Sequence, residues 1–274
     1  MAKPNAKTAL ITGSTDGVGR MVAEKLGADG WRVLVHGRNR QRGDEVVAAI
    51  EQAGGAAEFL QADLSSLAEV HRLAEAALKA TKRLDLLINN AGIGSGGASG
   101  AREVSADGYE MRFAVNYLAG YLLTELLLPL IKASAPARIV NVSSVGQLAI
   151  DFDDVMLTRG YSGSRAYCQS KLAQIMFGFD LARALEGSGV TVNCLHPATY
   201  MDTTMVRRAG VTPISTVEQG AEAILKLAVG PEMEGNSGLF FNGQKESRAD
   251  AQAYDTQARA RLRALSRDLS GFAG

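Results

Sequence analysis

An α/β fold, in which one doubly wound parallel sheet carries helices on both faces, is predicted by three features of the sequence. Short apolar runs of strand length alternate along the chain with longer segments whose apolar residues recur at helical spacing. Several runs are apolar on both faces, which is typical of parallel strands covered by helices. A glycine cluster, TGSTDGVG, directly follows the first run. The handedness of crossovers then makes a doubly wound sheet the economical topology.

Seven strands are expected in this single sheet. In chain order they are TALIT, WRVLVH, AEFLQA, LDLLIN, ARIVNV, VTVNCL and GLFFN. Ser66 and Glu69 have the spacing of a capping box before a helix that ends near Lys79. Apolar periodicity predicts a further long helix over 105–132.

Another long helix is expected to begin near Ser164, and Gly187 and Gly189 are expected to close it. Two segments break the alternation, the glycine-rich IGSGGASG at 93–100 and the tail at 246–274. We expect both to be peripheral, with the RARLR stretch of the tail forming a surface helix.

The length of 274 residues predicts one domain, 1–274, with its core at about 7–242 and a peripheral C-terminal tail at 246–274. The 29 acidic and 29 basic residues give no net field, so nucleic acid and anionic membranes are not expected partners. No signal peptide or membrane span is expected, since LLTELLLPLI contains Glu125 and Pro129 and is short. Small-molecule partners are expected.

The two cysteines, Cys168 and Cys194, have neither CxxC spacing nor a disulfide pattern, which favours a reducing, cytoplasmic location. The three histidines, His36, His71 and His196, are scattered without ligand-like spacing, so no metal site is predicted and each is expected to be structural or exposed.

The glycine cluster between the first strand and the first helix has the pattern of a phosphate-binding turn. Its glycines allow a tight turn and close approach to a pyrophosphate, and the helix N-terminus offers free N–H groups. The alternative is a turn with no ligand. The candidate cofactor-binding residues in it are Gly13, Ser14, Thr15, Asp16, Gly17, Val18 and Gly19.

The second strand ends in His36, Gly37 and Arg38, where a dinucleotide-binding fold selects its ribose partner. No acid is present there to bind the 2′-hydroxyl of NAD, whereas Arg38 can pair with the 2′-phosphate of NADP. NADP(H) is therefore favoured over NAD(H). The alternative for Arg38 is an exposed arginine in a basic loop, and Asp16 adds a negative charge that does not help a 2′-phosphate.

Two further segments follow predicted strands. Asp63 can accept a hydrogen bond from an adenine amino group, with Leu64 supplying a backbone donor, or it can cap the following helix. The NNAG segment, with Asn90, Ala91 and Gly92, lets the chain pass close to a cofactor, although its asparagines can equally bind backbone in a turn.

The segment YCQSK places Tyr167 and Lys171 on one face of a predicted helix. A neighbouring cation stabilises a phenolate, which makes tyrosine usable as an acid and base near neutral pH. A solvated helix face explains such a pair equally well in isolation. Cys168 is interpreted as a small packing residue.

Two polar residues are expected near this pair. Ser144 follows the strand ARIVNV at the edge where ligands bind, and can donate to a substrate oxygen or begin a turn. Asn116 interrupts an apolar helix and either holds a water that leads to Lys171 or is satisfied by neighbouring helices.

Taken together and in this order, TGSTDGVG, NNAG, Asn116, the serine after IVNVS and YCQSK resemble the short-chain dehydrogenase/reductase family, over about residues 7–242. The resemblance implies a Rossmann-type fold and an oxidoreductase. It implies that Tyr167 protonates the developing alkoxide, Lys171 lowers the pKa of Tyr167 and binds the nicotinamide ribose, and Ser144 holds the carbonyl oxygen. Asn116 would support a proton-relay water.

Within the family, RIVNVSS followed by the long spacer at 145–166 and then AYCQSKLA resembles the retinol-dehydrogenase-like and aromatic-polyketide ketoreductase-like branch. This spacer is expected to form part of a substrate wall, with Tyr161 packing in it rather than contacting substrate. The usual Pro-Gly pair after the sixth strand is here Pro197 and Ala198, whose turn must accommodate a Cβ. Pro197 and Thr199 are candidate cofactor contacts.

Thr203 is the candidate hydroxyl near the cofactor phosphates, with Thr204 as its competitor, and the segment 199–216 is expected to close over substrate. The predicted function is NADP(H)-dependent reduction of an apolar ketone or aldehyde to an alcohol. NAD-dependent alcohol oxidation and a catalytically idle dinucleotide-sensing scaffold are the alternatives. The resemblance implies a homodimer or homotetramer, since the long apolar helices at 105–132 and 164–187 often pair across a dimer axis in this family, although core packing explains the same pattern and the spacer could obstruct pairing.

Overall fold

The computed structural model describes residues 6–96 and 101–272. Strands β1 to β8 span Thr8–Ile11, Arg32–Gly37, Ala56–Gln61, Leu86–Asn89, Ala137–Val142, Val190–His196, Phe240–Asn242 and Lys245–Ser247. They form one sheet in the order β3-β2-β1-β4-β5-β6-β7-β8. All pairs are parallel except β7 with β8. The doubly wound α/β fold is therefore confirmed, with β4 returning beside β1.

Strand β8 is not among the seven strands predicted from the sequence, and it pairs antiparallel to β7 through a tight turn at Gly243. Glycine permits this turn because its φ is +59° there, in the left-handed region. The three residues of β8 are exposed and polar, so hydrophobic patterning gives no sign of a strand.

Helices α1 to α8 span Gly17–Ala28, Arg40–Gln52, Leu67–Ala80, Ala119–Ala133, Gly163–Ala184, Thr204–Arg208, Val217–Val229 and Thr256–Ser270. Ser66 caps α3 by accepting from the backbone amide of Glu69, as its spacing predicts. The helix predicted over 105–132 begins later, because Val104 bridges to Glu110 and residues 105–109 form a turn. A π-helical segment, Phe113–Leu118, precedes α4.

Two apolar layers cover the sheet. On β1 the side chain of Leu10 faces the layer built by α3, α4 and α5, whereas Ala9 and Ile11 face the layer built by α1, α2 and α7. Successive strand residues point to opposite faces, so a strand buried on both sides must be apolar throughout. Because helices cover both faces of the sheet, the carboxyl ends of its strands are where a ligand-binding site can form.

The tail is not peripheral, because α8 packs into the first apolar layer against α5. Leu262 is buried there, and the hydroxyls of Ser266 and Tyr117 hydrogen-bond at 2.6 Å. Arg263 pairs with Asp180 of α5. A dimer formed through this part of α5 would have to displace α8, and the expected oligomeric state stays a prediction.

One segment, Phe113–Ala133, is long and apolar enough by composition to cross a membrane. Most of it is buried inside the fold, where it forms the π-helical segment and α4 between α3 and α5. A core helix of an α/β domain passes the same test of length and hydropathy, so this segment is accounted for by the core.

Candidate active site

The glycine turn after β1 packs directly against the NNAG segment after β4. A Cβ on Gly13 would lie 2.8 Å from the Cα of Ala91, and a Cβ on Gly19 would lie 2.4 Å from Asn90 Nδ2. Asn90 donates from this Nδ2 to the carbonyls of Thr12 and Gly13, at 2.8 and 3.1 Å. Only glycine fits these positions, and the Asn90 side chain holds the turn.

The other turn residues are held by the strands around them. Ser14 Oγ donates to Ile11 O at 2.8 Å, and Thr15 packs against Gly37 at the end of β2. Asp16 caps α1 by accepting from Gly17 N at 2.8 Å, while the side chain of Val18 is buried in the core. The backbone N–H groups at the start of α1 thus remain the part of the turn suited to a phosphate.

His36 is a residue of this site whose role the sequence analysis missed. Its Nδ1 accepts from Gly13 N at 3.0 Å, and its backbone N–H donates to Ser14 Oγ at 3.0 Å. Burial lowers the pKa of His36 to about 4, so the imidazole is neutral and can accept. A polar side chain at the end of a strand beside a glycine turn was the available signal.

The arginines beside the turn are paired with carboxylates. Arg38 has a side chain 69% exposed and lies 3.8 Å from Asp63, and Arg42 lies 3.3 Å from Asp16. Asp63 also accepts from Ser65 N at 2.9 Å, so it shapes the turn before α3 while Ser66 provides the cap. The side chain of Leu64 is buried, which leaves its backbone as the part that can meet a ligand.

Tyr167 and Ser144 come together at the carboxyl edge of the sheet, from α5 and from the end of β5. Burial raises the pKa of the Tyr167 phenol, and a hydrogen bond with Ser144 opposes that rise. The Oγ of Ser144 also accepts from Gly146 N at 3.0 Å, which fixes the hydroxyl beside the phenol.

Lys171 is buried behind this pair. Its Nζ donates to Val142 O at 2.9 Å and to Gln174 Oε1 at 3.3 Å, and lies 6.0 Å from the centre of the Tyr167 ring. Burial lowers the pKa of Lys171 to about 8. The resemblance implies that Lys171 lowers the pKa of Tyr167, whereas in this structure burial is the larger effect and the lowering contribution comes from Ser144.

Asn116 lies in the π-helical segment rather than in a regular α-helix. Its Oδ1 accepts from Ile93 N at 2.7 Å, and its Nδ2 donates to Ile93 O at 3.1 Å and to Ser170 Oγ at 3.0 Å. A Cβ on Gly92 would lie 3.3 Å from Asn116 Oδ1 and 3.4 Å from Lys171 Nζ. Asn116 therefore ties the chain after NNAG to α5, next to Lys171.

The loop after β6 closes the other side of the site. Thr199 Oγ1 lies 2.9 Å from Nε2 of the buried His196, and its carbonyl accepts from Ser215 Oγ at 2.5 Å. Thr203 rather than Thr204 faces the glycine turn, since its Cγ2 would be 3.2 Å from a Cβ on Gly17. Pro197 precedes the turn, where the left-handed residue is Tyr200, with φ of +46°.

The spacer after β5 contains no helix or strand up to the start of α5, and Tyr161 in it does more than pack. Its hydroxyl accepts from Arg112 at 2.7 Å and donates to Glu110 at 3.1 Å, and both partners are buried. Arg112 also donates to Gly94 O at 3.1 Å. Spacer and glycine-rich loop are joined here, and residues 97–100 of that loop lie outside the described residues.

Residues 7–212 match the family model described as short chain dehydrogenase. The chain belongs to the short-chain dehydrogenase family. It is 36% identical to retinol dehydrogenase 13 of Homo sapiens, over 97% of this chain and 85% of the relative. This membership makes the chain an NAD(P)-dependent oxidoreductase of the retinol-dehydrogenase-like branch, and the idle-scaffold alternative is set aside.

Solved structures of the short-chain dehydrogenase family share the fold. The Pseudomonas aeruginosa RhlG/NADP complex superposes with a TM-score of 0.72 at 28% identity, over 87% of this chain and 95% of that one. Landomycin C-6 ketoreductase LanV with bound NADP and rabelomycin gives 0.69 at 30% identity, with the same coverages. A Brucella melitensis 3-ketoacyl-(acyl-carrier-protein) reductase complexed with NADH gives 0.70 at 25% identity, over 86% and 96%.

Proposed function

We propose that this chain is an NADP(H)-dependent reductase that converts an apolar ketone or aldehyde to an alcohol, with Tyr167 as the proton donor. The observation that carries the proposal is the closeness of the Tyr167 phenol and the Ser144 hydroxyl at the carboxyl edge of the sheet, beside Lys171: a Cβ on Gly146 would lie 3.4 Å from Ser144 Oγ and 3.7 Å from Tyr167 Cε1. Two hydroxyls that converge on one point can both meet a carbonyl oxygen.

A bound nicotinamide would supply the hydride. Tyr167 donates its proton to the developing alkoxide, while the Ser144 hydroxyl donates a hydrogen bond to the same oxygen. Lys171 binds ribose hydroxyls and, as a cation 6.0 Å from the centre of the Tyr167 ring, adds to the larger effect of Ser144 in stabilising the phenolate that Tyr167 becomes. Asn116 supports the proton relay by fixing Ile93 and Ser170 around Lys171, because its amide is engaged with both.

The glycine turn supports a dinucleotide, because Gly13 and Gly19 let it pack tightly on Ala91 and Asn90, and the backbone N–H groups at the start of α1 remain suited to a phosphate. The turn from Gly13 to Gly19 would hold the pyrophosphate, with Thr203 beside it. Asp63, Leu64 and the NNAG residues Asn90, Ala91 and Gly92 would flank the adenosine and the ribose, and Pro197 and Thr199 would meet the nicotinamide. These residues are the cofactor-binding residues predicted from the sequence.

The preference for NADP(H) rests on Arg38 and Arg42 at the end of β2 and the start of α2, without an acid at position 37 or 38. Guanidinium groups bind a 2′-phosphate as charge-assisted forks. One observation favours NAD(H) instead. Arg38 and Arg42 are paired with Asp63 and Asp16, and this pairing weakens the attraction of the two arginines for a 2′-phosphate. Structural relatives bind either NADP or NADH.

The apolar character of the substrate is supported by large apolar side chains left exposed on the spacer and the loop after β6. These are Val145, Leu148, Tyr200, Met205 and Ile214. Met205 packs over Gly94, which places this loop next to the chain after NNAG. Exposed apolar surface beside a site is typical of a ligand-binding mouth.

The test compares NADPH and NADH binding to the wild type and to Arg38→Ala, followed by turnover of a panel of ketones and aldehydes by the wild type and Tyr167→Phe. We expect tighter binding of NADPH, loss of that preference in Arg38→Ala, and loss of turnover in Tyr167→Phe with unchanged cofactor binding. Equal binding of both cofactors would refute the NADP(H) preference, and full activity of Tyr167→Phe would refute the role of the phenol.

A further inference from the structure

We propose that Gln174 is a positioning residue for the reaction, because its side-chain amide, anchored on β4, fixes both the place and the charge of Lys171. The inference rests on the proposed function, in which the Lys171 ammonium supports Tyr167. Gln174 lies one helical turn after Lys171 on α5 and outside the motifs that the sequence analysis selected.

The orientation of the Gln174 amide is determined by its two partners. Its Nε2 donates to the backbone carbonyl of Asn89 at 3.2 Å, and its Oε1 accepts from Lys171 Nζ at 3.3 Å. A carbonyl only accepts and an ammonium only donates, so the reversed amide would oppose like groups at both ends. With Gln174 only 4% exposed, water is not a ready substitute for either partner.

The contact between Gln174 and Lys171 is important because the ammonium has one other hydrogen-bond acceptor among the described residues. The other acceptor of the ammonium is the Val142 carbonyl on β5. The titratable neighbours are Tyr167 on the same helix and His196 on β6, whose pKa is lowered to about 4 by burial and then by the charge of Lys171. Within residues 6–96 and 101–272 no carboxylate pairs with Lys171, so two carbonyl dipoles hold the buried cation.

Loss of the Gln174 carbonyl dipole is therefore expected to change the protonation state of Lys171. A hydrogen bond to a charged group corresponds to a shift of about one pH unit or more in the titration of that group. Because burial already lowers the pKa of Lys171 to about 8, a further decrease of about one unit brings it to the neutral range. The ammonium would then be partly deprotonated at neutral pH, and Tyr167 would lose its support.

The experiment compares wild type with Gln174→Leu, Gln174→Glu and a matched control, Gln169→Leu. Gln169 is also a buried glutamine of α5, but its Nε2 donates to Ala149 O in the spacer. The pH dependence of kcat/KM is measured with one ketone. In addition, the Lys171 Cε resonance of cofactor-free, ¹³C-lysine-labelled protein is titrated by NMR and assigned with Lys171→Met.

We expect the alkaline midpoint and the NMR midpoint to fall by about one unit in Gln174→Leu, rise in Gln174→Glu and stay unchanged in Gln169→Leu. Unchanged midpoints in both Gln174 variants would overturn the inference. If Gln174→Leu does not fold, Gln174→Asn, which is too short to span Asn89 O and Lys171, replaces it. Absence of carbonyl turnover in the wild type would refute the proposed function, while the NMR titration would still test Gln174.

Discussion

The imidazole Nδ1 of His36 accepts a hydrogen bond from the backbone amide of Gly13, with 3.0 Å between the two nitrogens. The contact joins the end of β2 to the first residue of the glycine turn, and it exists only while Nδ1 carries no proton. Because burial lowers the pKa of His36 to about 4, the contact is retained throughout the neutral range.

The first prediction is a loss of stability on acidification. The pKa of His36 and that of His196 are each about 4 in the folded protein against 6.5 for the free group. Between these values the unfolded chain binds more protons, so stability falls as pH decreases from about 6.5 toward about 4. We expect the free energy of unfolding in urea to be lower at pH 5 than at pH 7 by about 2 kcal/mol per histidine.

Two variants of His36 separate its titration from its hydrogen bond. His36→Asn places an acceptor near Nδ1 without a titrating group, and should remove one histidine's share of the pH effect while keeping cofactor affinity. His36→Leu should remove the same share and weaken cofactor binding, because Gly13 N loses its acceptor. An unchanged pH dependence in both variants would contradict the assignment.

Local patterning predicted most of the sheet and the order of the site. Most of the parallel strands are apolar runs, and the glycine turn, Ser144 and Tyr167 follow from strand ends and helical spacing. The contacts that connect distant segments have no such local signal. Tyr117 and Ser266 are 149 residues apart, so their hydrogen bond, and with it the burial of α8, could not be derived from periodicity.

The π-helical segment is a second case. The apolar residues from Phe113 to Leu118 suit an α-helix equally well, and it is the fit of Asn116 against Ile93 and Ser170 that is seen only in three dimensions. His36 and Gln174 were missed for the same reason. Their partners, Gly13 and Asn89, are brought to them by strand order rather than by spacing in the sequence.

The second prediction concerns the buried pair of Glu110 and Arg112, whose charged groups approach to 3.5 Å. Arg112→Met leaves an uncompensated carboxylate in the core and should reduce the free energy of unfolding by about 3–5 kcal/mol. It should also raise KM for the carbonyl, because Gly94 O loses its donor. Urea unfolding and steady-state kinetics measure the two effects.

The double variant Glu110→Gln/Arg112→Met should recover much of the lost stability, since no unpaired charge remains. The matched control is Arg20→Met, which breaks the solvent-exposed pair with Glu24 and should cost less than about 1 kcal/mol. A loss in Arg112→Met no larger than in this control would show that the buried pair is not coupled as described.

The third prediction concerns cofactor choice. Asp16→Asn keeps an acceptor for Gly17 N, and so the cap of α1, but removes the carboxylate that pairs with Arg42. We expect NADPH to bind roughly threefold or more tightly, NADH to gain less because it lacks the 2′-phosphate, and both gains to shrink with added salt. Fluorescence titration measures both affinities. Asp44→Asn, beside Arg40 on α2, is the control, and an equal gain there would indicate a general charge effect.

The last prediction concerns Tyr200, whose ring is exposed and whose backbone is left-handed, with φ of +46°. A bulky residue in this conformation costs of order 1 kcal/mol, whereas asparagine tolerates it. Tyr200→Asn should therefore be as stable as the wild type or more so, yet bind apolar ketones less well because the mouth loses an aromatic face.

Thermal unfolding and KM values for a short and a long alkyl ketone check both halves of this expectation. Tyr200→Leu is the counterpart, since it keeps apolar surface and retains the backbone strain. If Tyr200 contributes apolar contact, KM for the long ketone rises several-fold in Tyr200→Asn and little in Tyr200→Leu. Equal KM values in all three proteins would mean that the Tyr200 ring does not contact substrate. Substrate binding would then not explain why a tyrosine occupies this strained position.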